Sequence, residues 1–188
     1  MRRLIVAFAM LAGTVLPVLP ETFQKRVTVC LACHGEKGQS ETAQVPSLGA
    51  MPSAYLLIQL YLFRENQRRV DPMNDMAKGM TDADLQTFAD FIEKLPRPKM
   101  EQAPDQARME RARALVAQHR CGFCHSPDYS GHDNIPRLAA QREDYLLKAL
   151  REYKSNARVG YDTAMIEVVQ PLKDADLVEL AYFMAHSP

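Results

Sequence analysis

Cys30-Leu31-Ala32-Cys33-His34 recurs ninety-one positions later as Cys121-Gly122-Phe123-Cys124-His125, and these two stretches hold all four cysteines of the 188-residue chain. The echo continues outward from both. Val45-Pro46-Ser47-Leu48 is answered by Ile135-Pro136-Arg137-Leu138. Further on, Tyr55, Leu56, Leu57, Leu60, Phe63, Asn66 and Arg68 are answered by Tyr145, Leu146, Leu147, Leu150, Tyr153, Asn156 and Arg158. A closing pair sets Thr81-Asp82-Ala83-Asp84-Leu85 against Lys173-Asp174-Ala175-Asp176-Leu177. Self-similarity on this scale marks a tandem repeat. Within each copy apolar residues return at intervals of three and four, the period of an amphipathic helix, and no stretch alternates as a strand would. The chain reads as all-α, in two halves.

The chemistry lies in the motif. C-x-x-C-H is the attachment sequence of c-type haem: each thiol adds to a vinyl group of the porphyrin, and the histidine is placed to ligate iron from one face. Two bland readings compete. Paired C-x-x-C motifs can hold zinc, but zinc ribbons keep their pairs roughly 15–20 residues apart, whereas 87 residues separate Cys33 from Cys121. A thioredoxin-like dithiol explains one motif, not two, and gives the following histidines no role. Two covalently attached haem c groups are therefore expected, on Cys30, Cys33 and His34 and on Cys121, Cys124 and His125.

Composition agrees. The formal charge is zero, so nothing points to nucleic acid. Met1-Arg2-Arg3 followed by an apolar run to Leu19 reads as a secretory signal in residues 1–20. If it is kept, residues 4–19 offer a membrane association, though they are short for a span. Removing it leaves 21 cationic against 23 anionic side chains, a net −2. The proline-rich stretch Pro96-Arg97-Pro98-Lys99-Met100-Glu101-Gln102-Ala103-Pro104 separates the halves as a semi-rigid linker. The expected division is 21–95, a linker over 96–107, and 108–188.

Each iron needs a sixth ligand. His119 lies two residues before Cys121, His132 has no counterpart in the first half, and His186 is nearly terminal, so these three read as surface or loop residues. Methionine is the other usual choice. Met73, Met76 and Met80 all precede the closing helix of the first half. Aligning Asp82-Ala83-Asp84-Leu85 with Asp174-Ala175-Asp176-Leu177 sets Met73 on Met165, Met76 on Val168 and Met80 on Leu172. Valine and leucine replace methionine in packing but not on iron, so Met73 and Met165 are the expected ligands, Met76 the fallback, and Met76 and Met80 packing residues.

Taken together, two C-x-x-C-H motifs, each followed by a (V/I)-P-x-L loop, a Tyr-Leu-Leu helix, a methionine and a (T/K)-D-A-D-L helix, resemble the dihaem class I cytochromes of the cytochrome c4 type. The resemblance spans residues 21–188. It implies two tandem class I cytochrome c domains related by a pseudo-twofold, with Pro46 and Pro136 carbonyls accepting from the two ligand histidines. It implies electron transfer between periplasmic or membrane partners such as a quinol-oxidising complex, a terminal oxidase or a dehydrogenase. The protein would be soluble or tethered to the inner membrane. The same pattern resembles the cytochrome subunit of a flavocytochrome c sulfide dehydrogenase, which keeps a subunit role open. A haem peroxidase is the weaker reading, because it needs an open sixth site and polar groups beside it, where Ile166 and Val168 stand. Met73→Ala is expected to abolish the low-spin His/Met spectrum at one haem only; the same loss from Met76→Ala would mean that the repeat alignment misleads.

Overall fold

The computed structural model describes residues 23–158 and 163–188; the expected signal segment, residues 1–20, lies outside them. Among the described residues the regular structure is helical, in the order α1 Phe23–His34, α2 Ser53–Arg64, α3 Met73–Ala77, α4 Asp82–Glu93, α5 Gln106–Gln118, α6 Cys121–His125, α7 Glu143–Lys154, α8 Ala164–Val169 and α9 Asp174–Ala185. In the first half α2 packs on α3 and α4; in the second α7 packs on α8 and α9, and α5 on α9.

Each half buries its own apolar residues. Val27, Phe63, Ala77, Met80, Leu85 and Phe88 form one cluster, with Met51, Leu56, Ala89 and Ile92 beside it. Met109, Val116, Leu146, Leu172, Leu177 and Phe183 belong to the cluster of the second half. A fully buried Phe88 or Leu177 contributes about 1.5–3 kcal/mol, but clusters this small leave little margin for a domain of this size.

The helices leading into the two motifs differ. In the first half a single helix runs through the motif to His34. In the second, Arg120 takes a left-handed backbone (φ 53°, ψ 35°), which ends α5 and starts the short α6 that carries the motif. The residue matching Arg120 is Val29, and a β-branched side chain resists that conformation. The first helix therefore stays continuous.

The closing helices confirm one cap and supply a different one. Thr81 Oγ1 accepts from the Asp84 N–H at 3.1 Å while Asp84 Oδ2 accepts from the Thr81 N–H at 2.8 Å, a complete capping box. Lys173 has no side-chain acceptor, yet its N–H still donates to Asp176 Oδ2 at 2.8 Å, so half of the box survives. Asp174 is engaged elsewhere, in a two-pronged pair with Arg151 at 2.7 Å.

Between the halves the chain is pinned rather than loose. The Gln39 amide donates to Lys99 O and accepts from Lys99 N–H, both at 3.1 Å, and the Asp105 N–H donates to the Tyr182 hydroxyl at 2.7 Å. The halves also meet directly. Gln44 N–H donates to Asp144 Oδ2 at 2.9 Å, and Tyr55 N–H donates to Asp133 O at 3.1 Å. The loop of each half thus reaches the first turn of the Tyr-Leu-Leu helix of the other, the reciprocity a pseudo-twofold produces. The Gln141 amide and the Ser47 backbone add two bonds of 2.8 Å at the same junction.

Thr81→Ala is expected to lower stability by about 1 kcal/mol in urea denaturation of the haem-loaded protein, with Lys173→Ala costing less. The Asp84 carboxyl is held below the usual carboxylate range, chiefly by the Thr81 N–H and then by its hydroxyl. Its contribution is therefore present above that range and fades as pH falls through the depressed value. Thr81→Ala keeps the N–H and is expected to soften the acid limb only in part, whereas an acid limb unchanged in Asp84→Asn would contradict this.

Candidate haem sites

The first motif occupies the last turn of α1. Cys30 and Cys33 are three apart and Cys30 and His34 four apart, so one face of the helix presents all three side chains. Cys30 is half-buried, Cys33 exposed and His34 buried, and the thiols are free. His34 Nδ1 lies 2.8 Å from Pro46 O, and His125 Nδ1 lies 2.9 Å from Pro136 O. A carbonyl only accepts, so each Nδ1 carries the proton and each Nε2 is the nitrogen left for a metal. Burial pushes both imidazoles below their ordinary value, against the opposing effect of the carbonyl bond. Both are thus held neutral, the form that ligates iron. Burial also pushes the Cys30 and Cys121 thiols up.

The loop after the first motif is tied back to it. Ser40 Oγ donates to Cys33 O at 3.0 Å, and Ser40 N–H donates to Ser47 Oγ at 3.1 Å, which fixes the path from the motif to Pro46. In the second half Gly131 fills the tight turn: with φ +71° it sits where a Cβ would lie 2.4 Å from Ile135 O.

Met73 begins α3, half-buried against the apolar cluster that also receives Cys30 and Leu31. Met165 lies in α8, half-buried against the cluster that receives Cys121 and Leu138. Each expected methionine and its motif therefore border one apolar region. The other two aligned pairs behave alike in their own ways: Met80 and Leu172 are buried, at 5% and 4% exposure, while Met76 and Val168 are exposed, at 41% and 39%. Met76 is thus a surface residue here and not the packing residue expected. His132 is exposed beside Asp133, as expected; His186 lies in the turn that ends α9, half-buried and stacked on Tyr182 at 4.1 Å.

Asn74 was invisible in the repeat. Its amide donates to Phe63 O and Arg68 O, both at 2.8 Å, and accepts from Val70 N–H at 2.7 Å. It closes the loop that delivers Met73. The aligned residue is Ile166, so comparison of the halves could not signal it.

The residues fit a haem. Each half offers free thiols on the face of a helix, a neutral histidine oriented through Nδ1, and a thioether bordering the same apolar region. Buried guanidinium groups add the charge that a haem's carboxylates require, and Arg68 Nε is buried without a hydrogen-bond partner. Among the described residues no three His, Cys, Asp or Glu side chains gather as they would around zinc.

The model of the cytochrome c family matches residues 23–96 and 109–188. The chain belongs to the cytochrome c family. With two complete motifs, this cytochrome carries two covalently attached haem c groups in two tandem all-α domains, and it is an electron-transfer protein. It is 28% identical to the thiosulfate dehydrogenase electron acceptor of Thiomonas intermedia, over 85% of this chain and 78% of that one. It is 25% identical to cytochrome c4 of Pseudomonas aeruginosa, over 86% and 85% of the two chains. The crystal structure of reduced cytochrome c4 from Pseudomonas stutzeri superposes with a TM-score of 0.79 at 25% identity, covering 88% of this cytochrome and 97% of that chain.

Asn74→Ala leaves two carbonyls and an N–H without their partner, at a cost of about 1–3 kcal/mol. It is expected to weaken the methionine-to-iron charge-transfer band of the first haem while leaving the second intact. A band of wild-type strength would show that Asn74 serves the loop alone.

Proposed function

We propose that the chain is a two-iron electron carrier in which Cys30 and Cys33 hold the first haem and Cys121 and Cys124 the second. His34 and Met73 ligate the first iron, and His125 and Met165 the second. The haem-bearing units are residues 21–95 and 108–188, joined by 96–107. When bound, haem supplies a reversible one-electron couple, and a thioether ligand raises its potential by favouring the ferrous metal. The protein's own work is to hold ligands still. The Pro46 and Pro136 carbonyls orient the imidazoles and strengthen their donation, Asn74 holds the segment carrying Met73, and the apolar clusters shield the rings. Keeping both ligands through the redox cycle minimises reorganisation and leaves no open position for substrate.

The observation that carries this reading is the pair of Nδ1-to-carbonyl bonds, repeated at matched positions in both halves. The place of action is the periplasm, with residues 1–20 as the export signal or, if retained, a tether. Its exchange partners are a membrane quinol-oxidising complex, a terminal oxidase or a dehydrogenase. A second reading is favoured by the similarity to the electron acceptor of a thiosulfate dehydrogenase: the chain takes electrons from one dehydrogenase as its dedicated partner.

Potentiometric titration of the purified protein is expected to give two reversible one-electron steps with no turnover of peroxide. Purification from native periplasm and membranes separates the two readings. A stoichiometric dehydrogenase favours the dedicated acceptor, and a chain that reduces a terminal oxidase directly favours the free carrier. Peroxide turnover, or a high-spin iron in the resting protein, would overturn both.

A further inference from the structure

Pro46 O accepts from His34, yet the residue that follows it is held by the other half of the chain. Ser47 N–H donates to Gln141 Oε1 and Gln141 Nε2 donates to Ser47 O, both at 2.8 Å. Gln141 and Ser47 are buried, at 2% and 1% exposure. Two residues close behind Gln141 reach the same loop. Arg142 Nη1 donates to Ser40 O at 3.1 Å, and Asp144 Oδ2 accepts from Gln44 N–H at 2.9 Å. Arg142 and Asp144 also hold each other, through bonds of 3.0 and 2.9 Å. Burial alone would push the Asp144 carboxyl up, but the bonds from Arg142 and Gln44 draw it below the usual carboxylate range, so it stays an anion.

The stretch from Ser40 to Ser47 is the path from the first motif to Pro46, with Ser40 Oγ donating to Cys33 O and Ser40 N–H to Ser47 Oγ. The second half grips this path at Ser40, Gln44 and Ser47. The grip is one-sided. In the repeat, Gln141, Arg142 and Asp144 fall on Met51, Pro52 and Ala54, whose side chains carry no hydrogen-bond donor and no strong acceptor. Met51 is buried instead in an apolar cluster of its own half. Toward the loop of the second histidine the first half offers backbone groups: Gly49 O accepts from Arg137 Nε at 3.2 Å, and Tyr55 N–H donates to Asp133 O at 3.1 Å. Removing the Gln141 amide leaves a buried N–H and a buried carbonyl of Ser47 without partners, and a loop in that state gives way to satisfy them.

We propose that Gln141, supported by Arg142 and Asp144, is a positioning residue for the axial histidine of the other half: by anchoring Ser47 it holds the Pro46 carbonyl against His34 and so sets the potential of the first iron. This rests on the two-haem reading above. A hydrogen bond at Nδ1 strengthens the donation of the imidazole through Nε2, which favours ferric iron. Loosening that bond favours ferrous iron and raises the potential. The second iron, whose loop meets the first half through backbone groups of that half, keeps its own.

The test uses the haem-loaded chain and its Gln141→Met, Asp144→Ala and Asp144→Asn variants. Haem per chain is quantified first. Each potential is then followed in an NMR redox titration through the signals of its own axial histidine, together with exchange of the two Nδ1 protons in deuterated water. Gln141→Met is expected to keep two haems and to raise the potential of the first alone. It is also expected to speed exchange of the His34 Nδ1 proton about tenfold, the factor that ~1.4 kcal/mol of lost anchoring gives, with His125 unchanged. Should this variant fail to fold, Asp144→Ala decides by the same two readouts, because it removes the Gln44 contact at a half-buried site. Asp144→Asn, which keeps an acceptor for Gln44, is expected to recover most of the shift. A first potential that holds or falls, a shift shared by both haems, or an unchanged His34 exchange overturns the proposal even if stability drops. Fewer than two haems in the wild-type chain overturns the reading beneath it instead.

Discussion

The hydrogen bond from a histidine Nδ1 to a proline carbonyl is the constraint on which each half depends. At 2.8 Å for His34 and 2.9 Å for His125, it joins the end of a helix to a loop twelve or eleven residues on. It fixes the tautomer and orients the ring. To make it, the chain must close a loop tightly, which is why Ser40 and Ser47 tie back to the first motif and Gly131 occupies a turn that admits no Cβ in the second. The helices that follow, α2 and α7, then start at a defined place, and they meet α4 and α9 over apolar clusters that Cys30 and Met73, and Cys121 and Met165, border.

Those borders bear on the economy of the cores. Neither half buries enough of its own apolar surface for comfort at this size, and Cys30, Met73, Cys121 and Met165 all line the clusters without being enclosed by them. A large flat apolar cofactor, attached covalently, completes both. A group held by the folded chain adds to its stability, so the haems supplement what the small cores supply.

Much of this was legible in the residues alone, because a tandem repeat carries its own control. The match of Met73 with Met165 set that pair apart, and the pairing of Met80 with Leu172 read a core position that the structure buries in both halves. The same comparison anticipated the Thr81 cap and the loss of a side-chain acceptor at Lys173. What it missed are features that break the repeat or join its copies. Asn74 faces Ile166, so its clamp had no echo. Arg120 bends the second motif helix where Val29 keeps the first straight. Met76 lies on the surface, where its pairing with Val168, exposed in its turn, read as packing because valine suits both places. Tyr55 and Tyr145, which both accept from Arg158, were paired in the sequence, but pairing does not say that the two copies meet. That depends on how the halves dock, through the contacts of Gln141 with Ser47 and of Arg137 with Gly49 O.

The central claim is two irons per chain, each held by one histidine and one methionine. Near-infrared magnetic circular dichroism of the fully oxidised protein, quantified against total iron, tests it most directly. The account predicts that all the iron is low-spin with a His/Met signature, at two per chain. A high-spin fraction, or a bis-histidine signal from either haem, would contradict it.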